Sequence, residues 1–226
     1  MKNLDSLEKK LNLKFKDQNL LKQALVHCSY LNEHPNFSLD NNERLEFLGD
    51  AVLELITTKF LYENFKNPEG ELTAFRSSLV NTDSLAKTAG DLDLNEYLFL
   101  SRGEQKSISR SRKVILANTF EALIGAIYLD QGLESAGNFV RLNLLIKLDI
   151  ILKKQLYKDS KSQLQELIQN QIKLTPTYKV IKEVGPDHSK IFTVGVFCGE
   201  NLTAIGRGKS KSEAEKEAAK KALKKR

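Results

Sequence analysis

Glu43, Glu46, Asp50 and Glu54 recur at spacings of three and four residues, and Asn118 and Glu121 form a second pair three residues apart. On an α-helix, where successive residues turn by about 100°, the four acids fall in one narrow stripe and the second pair shares a face. Carboxylates stacked this closely repel one another, so either water screens them along a solvated face or a cation balances them. Glu121 lies in a segment that is otherwise apolar nearly all round, from Val114, Ile115 and Leu116 through Phe120, Leu123 and Ile124 to Ile127 and Leu129. A carboxylate there is costly unless it is ion-paired inside the core or coordinates a metal. Two oxygen-bearing helix faces meeting in a bundle suit a hard divalent cation, which activates water and polarises phosphate oxygens.

The elements that would position these groups follow from hydrophobic spacing. Leu45, Leu48, Val52, Leu55 and Ile56 form the predicted core stripe of the acid-bearing helix, which runs to about Tyr62. Gly49 sits within it at a cost of about 1 kcal/mol relative to Ala, which points to a close approach by another segment. Phe47 lies beside the acids and off the core stripe, so a partner subunit would bury it. Upstream, Leu4, Leu7 and Leu11, then Leu20, Leu21, Ala24, Leu25 and Cys28, predict two short helices. The stretch from Leu31 to Asn42 is a loop in which Asn41 or Asn42 can cap the helix that follows. His27 is read as a core histidine with no assigned chemistry. After a turn at Lys66 to Gly70, more helix is expected around Leu72 to Ala89, an exposed loop or frayed helix start from Ser101 to Lys113, and a last helix from Leu133 to Leu156.

The run Asn42-Glu43-Arg44-Leu45-Glu46-Phe47-Leu48-Gly49-Asp50-Ala51-Val52-Leu53 resembles the signature of the ribonuclease III family, whose members cut double-stranded RNA with divalent metal. The resemblance implies an all-α catalytic domain over residues 1–156 and a homodimer in which Phe47 is a contact. It implies a Mg²⁺ site, with Mn²⁺ able to substitute, held by Glu46, Asp50, Asn118 and Glu121; Asp50 and Glu121 are the catalytic pair. Glu43 and Glu69 match family acids near the site and the dimer interface. One position departs from the pattern: the best-known bacterial members have aspartate where this chain has Asn118. Asn keeps an oxygen donor but removes a negative charge, which leaves open a rival in which the protein only binds and sequesters double-stranded RNA. A helical protein-binding adaptor would leave the acidic stripe unexplained.

Charge divides the chain. From Lys158 to Arg226 it holds 15 basic and 8 acidic residues, a net of +7, against 20 and 21 before that point. A basic module beside a near-neutral one fits nucleic-acid binding. After a hydrophilic linker at residues 157–161, residues 162–226 predict a small α+β domain in the order α-β-β-β-α. Its Gln163-Leu164-Gln165-Glu166-Leu167-Ile168-Gln169, Gly185-Pro186-Asp187-His188 and Gly206-Arg207-Gly208-Lys209-Ser210-Lys211 resemble the double-stranded RNA-binding domain. That resemblance implies RNA contacts by Gln165, Gln169 and His188 in successive minor grooves, and by Lys209 and Lys211 on phosphates between them. Ser212 and Glu215 stand where many members are basic.

Cys28 and Cys198 are far apart and lack zinc-site spacing, so neither a disulfide scaffold nor a structural metal cluster is expected. No signal peptide or membrane span is legible, and a cytoplasmic setting is expected. The function expected from these features is metal-dependent endonucleolytic hydrolysis of double-stranded RNA, leaving 5′-phosphate and 3′-hydroxyl ends, in ribosomal and messenger RNA processing.

Overall fold

A computed structural model describes residues 2–106, 110–186 and 189–224. The chain divides into two compact units, Met1–Tyr157 and Lys158–Arg226. The first is helical: α1 (Leu4–Leu11), α2 (Gln18–Ala24), α3 (Cys28–Glu33), α4 (Glu43–Asn64), α5 (Glu69–Leu79), α6 (Thr82–Asp91), α7 (Arg102–Lys106), α8 (Arg110–Asn143) and α9 (Leu148–Lys153). α4 and α8 pack together at its centre, and α2 and α6 flank α8. The middle of the apolar run in α8 is buried, with Phe120, Leu123, Ile124 and Ile127 fully enclosed, whereas its ends, Val114 and Leu129, are exposed.

Local chemistry sets the boundaries. Asn3, Asp17 and Asn81 cap α1, α2 and α6 by accepting from the backbone N–H groups of Ser6, Asn19 and Ser84. At α4 the two asparagines divide the work. Asn41 Oδ1 accepts from Glu43 N at 3.2 Å, while buried Asn42 ties the helix start to α2 through Nδ2 to Ala24 O at 3.2 Å. Gly132, at φ 83°, breaks α8 into two legs, a left-handed conformation that a side chain would strain. The buried carboxylate of Glu8 accepts from Phe15 N and from Lys14 Nζ, both at 2.8 Å, and so clamps the turn after α1.

Four expectations shift or narrow. Leu55 is exposed and Leu53 is fully buried, because the packing of α8 against α4 centres the covered face nearer Val52 and Leu53. Of the two readings of Ser101 to Lys113, exposed loop or frayed helix start, the helical one holds at Arg102–Lys106 and from Arg110 onward, with Ser101 Oγ accepting from Glu104 N at 3.2 Å to start α7. Of the residues read as a linker, Tyr157 stacks edge-on to Phe75 at 4.5 Å, and Ser160 already opens the next helix under an Asp159 cap. The last expected helix of the first unit ends at Asn143 and resumes as a 3₁₀ turn, Leu145–Lys147, followed by α9.

The second unit is α10 (Ser160–Ile172), β1 (Thr177–Val184), β2 (Ile191–Cys198), β3 (Asn201–Gly208) and α11 (Lys211–Lys224). The strands form an antiparallel sheet in the order β1-β2-β3. Leu164 and Ile168 of α10 and Ala218, Ala219 and Ala222 of α11 close over Val196, Cys198 and Ala204. A side chain at Gly206 would meet the Ala214 carbonyl at 2.1 Å. Glycine in β3 and alanines in α11 are therefore one packing solution.

Candidate functional site

The acids meet because two helix backbones touch. A Cβ on Gly49 of α4 would lie 1.8 Å from the Glu121 carbonyl oxygen, and one on Gly125 of α8 would lie 2.3 Å from that of Leu45. Only paired glycines allow this crossing. It sets Glu46 and Asp50, one turn apart on α4, against Asn118 and Glu121 on α8. Gly49 showed in the sequence as a helix-interior glycine; Gly125 went unread, although it lies one turn beyond Glu121 in an equally regular helix.

The electrostatics report the proximity. Burial, then the charges of Asp50 and Glu46, push the Glu121 carboxyl up to about 7. Glu46 is raised too, by burial first; hydrogen bonding from the Asn118 carboxamide opposes this, and Glu43 and Asp50 add to it. Glu46, Asn118 and Glu121 are half-buried and Asp50 is exposed. Three carboxylates and a carboxamide, all oxygen donors with unbalanced negative charge, suit a hard cation by donor chemistry. Among the described residues no three His, Cys, Asp or Glu groups stand ready to hold a metal ion by themselves.

Other acids are placed differently. Glu43 acts on Glu46 but also on His27 and Cys28, so it stands at the edge of the cluster. Glu54, part of the same stripe, pairs with Arg76 at 3.5 Å. Glu69 opens α5, accepts from Thr73 Oγ1 at 3.0 Å, and is not among the charges acting on Glu46 or Glu121. His27 caps α3, its Nδ1 accepting from Ser29 N at 3.3 Å. Burial holds its pKa down against the charges of Glu104 and Glu43. Phe47 is 83% exposed beside the cluster. Ala51, Leu55 and Tyr62, also exposed, continue its face along α4.

In the second unit Gln165 and Gln169 are exposed one turn apart on α10, on the flank next to buried Leu164 and Ile168. Lys209 and Lys211 flank the start of α11. Part of that helix end is already used: Glu213 accepts from Lys209 N at 2.8 Å, and Ser210 Oγ accepts from Glu213 N at 3.2 Å. Lys211 Nζ lies 3.5 Å from Glu183. Glu215 pairs with Lys161 at 2.7 Å and joins α11 to α10, which gives that unusual acid a structural role. His188 and the adjoining Asp187 lie outside the described residues.

Comparison with known proteins follows the same division. Residues 17–148 match the family model for ribonuclease-III-like domains, and residues 160–226 match that for the double-stranded RNA binding motif. The chain is 47% identical to Ribonuclease 3 of Borreliella burgdorferi over 95% of its length and 87% of the relative's. It is likewise 47% identical to Ribonuclease 3 of Carboxydothermus hydrogenoformans over 98% and 94%. Among solved structures, the nuclease domain of ribonuclease III from Campylobacter jejuni is 41% identical at a TM-score of 0.56, covering 66% of this chain and 97% of that one.

Proposed function

Since the chain belongs to the ribonuclease III family and carries a double-stranded RNA-binding domain, we propose that it is a Mg²⁺-dependent endoribonuclease that cleaves duplex RNA as a homodimer. The observation that carries this reading is the Gly49–Gly125 crossing, which sets Glu46 and Asp50 against Asn118 and Glu121. These four side chains would hold the ion. Bound there, Mg²⁺ would supply Lewis-acid polarisation of the scissile phosphate and a lowered pKa for water, with Mn²⁺ an adequate substitute.

The chain's own residues do the rest. Glu121, whose carboxyl is held up near 7 by burial and by the Asp50 and Glu46 charges while no cation is present, would ionise on binding one and hold it through its Oε atoms. Asn118 orients Glu46 through its amide. Gln165, Gln169, His188, Lys209 and Lys211 bind the duplex, and Glu43 and Glu69 support the site at its edge and at the dimer interface. Hydrolysis leaves 5′-phosphate and 3′-hydroxyl ends, and ribosomal and messenger RNA precursors are the substrates.

The exposed α4 face centred on Phe47 supports the dimer, as does the reported region involved in dimer formation in the Campylobacter jejuni nuclease domain. Both cysteines are free, in accord with a reducing, cytoplasmic setting. Among the described residues no helix is long and apolar enough to cross a membrane.

A second reading rests on Asn118: with one carboxylate fewer, the site could bind metal too weakly to act, leaving a duplex-RNA binder. One experiment separates the two. Pure protein is incubated with long double-stranded RNA across a Mg²⁺ and Mn²⁺ series, alongside Glu121→Gln. Metal-dependent cleavage lost in the variant, with duplex binding retained, supports the enzyme; binding without cleavage at any metal concentration supports the passive binder.

A further inference from the structure

The sheet of the second unit has two faces of opposite character. α10 and α11 cover one, and strand alternation puts a different set of side chains on the other. Lys179, Gly195 and Ile205 form one row across the three strands of that outer face. Phe197 and Leu202 lie in the next row, and Lys182 and Arg207 in the row on the other side. Ile181, at the irregularity in β1, leans over Gly195. A Cβ there would come within 3.0 Å of the Ile181 and Leu202 methyls and the Phe197 ring. Gly195 is thus the floor of an apolar cluster, and Val184 and Ile191 lie on the same face beyond the Lys182–Thr193–Arg207 row.

Solvent reaches this cluster. Ile181, Val184, Ile191, Leu202 and Ile205 are between 40% and 51% exposed. The Ile181, Leu202 and Ile205 side chains around Gly195 form an exposed apolar patch, and such patches mark interaction sites. Its charge is one-sided: Lys179, Lys182 and Arg207 stand among the apolar groups, Lys179 Nζ lying 5.4 Å from the Phe197 ring centre. Among the described strand residues no carboxylate points to this face: Glu183, the acid of β1, turns the other way to Lys211, while Glu217 of α11 accepts from the Arg207 backbone N–H and offsets part of that charge.

We propose that this outer sheet face docks an acidic segment of a protein partner, one whose apolar side chains pack on the Gly195 cluster while its carboxylates meet Lys179, Lys182 and Arg207. Duplex RNA does not suit the face, because aliphatic groups cannot satisfy phosphates and 2′-hydroxyls, and the exposed glutamines belong to α10. Single strands bind by stacking on successive aromatic rings, whereas here one ring is already engaged by a lysine. The proposal is independent of whether the first unit is catalytically active.

The test is selection of a randomised peptide display library against the full-length protein saturated with duplex RNA, and in parallel against Leu202→Lys and the double variant Leu202→Lys with Ile205→Lys. Both positions are solvent-facing, and unchanged duplex-RNA affinity certifies that each variant is folded. The expected result is enrichment of peptides that combine Asp or Glu with apolar residues, whose affinity falls at least tenfold for the double variant and weakens with salt. The proposal is overturned if no peptide is enriched, if enriched peptides are not acidic, or if they bind the variants equally well. It is also overturned if a labelled oligouridine binds wild type and loses that binding in the variants, or if the substitutions change the oligomeric state, since RNA or a second copy would then be the occupant.

Discussion

Glu121→Gln should stabilise the metal-free protein even as it abolishes metal-dependent chemistry, and the two effects have one cause. The wild-type carboxyl is raised from an ordinary 4.5 to about 7 by burial, Asp50 and Glu46. A carboxyl whose folded pKa lies above its unfolded one contributes stability that is fully present below the unfolded value and is lost as pH rises through the folded value. The loss therefore runs from about pH 4.5 to 7, and is complete at about pH 8. The full shift corresponds to roughly 3 kcal/mol. Glu121 is only half-buried and Asp50 is exposed, so screening by water and salt reduces this by about half, to roughly 1.5 kcal/mol. For a domain of this size that is a rise in Tm of about 3–6 °C for the variant. The assay is thermal unfolding in a chelator, comparing wild type and Glu121→Gln at about pH 8 and about pH 4. The variant should exceed wild type at the higher pH and match it at the lower. Millimolar Mg²⁺ should then raise the wild-type Tm more than that of the variant, by mass action on a site only the wild type completes. Equal or lower stability of the variant at the higher pH, or a difference that does not vary with pH, would refute the reasoning about the cluster.

Three further outcomes are expected. Gly49→Ala places a methyl 1.8 Å from the Glu121 carbonyl oxygen and should cost about 3 kcal/mol or more in urea unfolding, and a loss below about 0.5 kcal/mol would contradict the backbone contact. Phe47→Ala should weaken self-association by roughly 3 kcal/mol, about a hundredfold in dimer Kd by analytical ultracentrifugation, and a wild-type monomer at micromolar concentration would remove its basis. Asn118→Asp adds a carboxylate opposite Glu46 and should tighten Mg²⁺ binding several-fold by calorimetry. Unchanged affinity would mean that position 118 is not a ligand.

Periodicity exposed a good deal of this protein before any packing was known. The acidic stripe on α4, the buried character of α8 around Glu121, and the α-β-β-β-α order of the second unit all arise from residues within a few positions of one another, where helix and strand geometry fix who shares a face. Capping was partly legible for the same reason, since Asn41 and Asn42 act on their own neighbours or on the preceding helix end. Tertiary structure decided the rest. Leu53 rather than Leu55 is buried because α8 covers one side of a broad apolar stripe. Glu54 leaves the cluster because Arg76, twenty-two residues away, captures it. Glu69 acts on neither Glu46 nor Glu121, although it resembles the other acids as a sequence feature. The decisive case is Gly125, whose contact with Leu45 and Gly49 spans the domain. Such a contact leaves no trace in local spacing, because it depends on two helix backbones meeting where neither carries a side chain, and only that meeting brings Glu46 and Asp50 to Asn118 and Glu121.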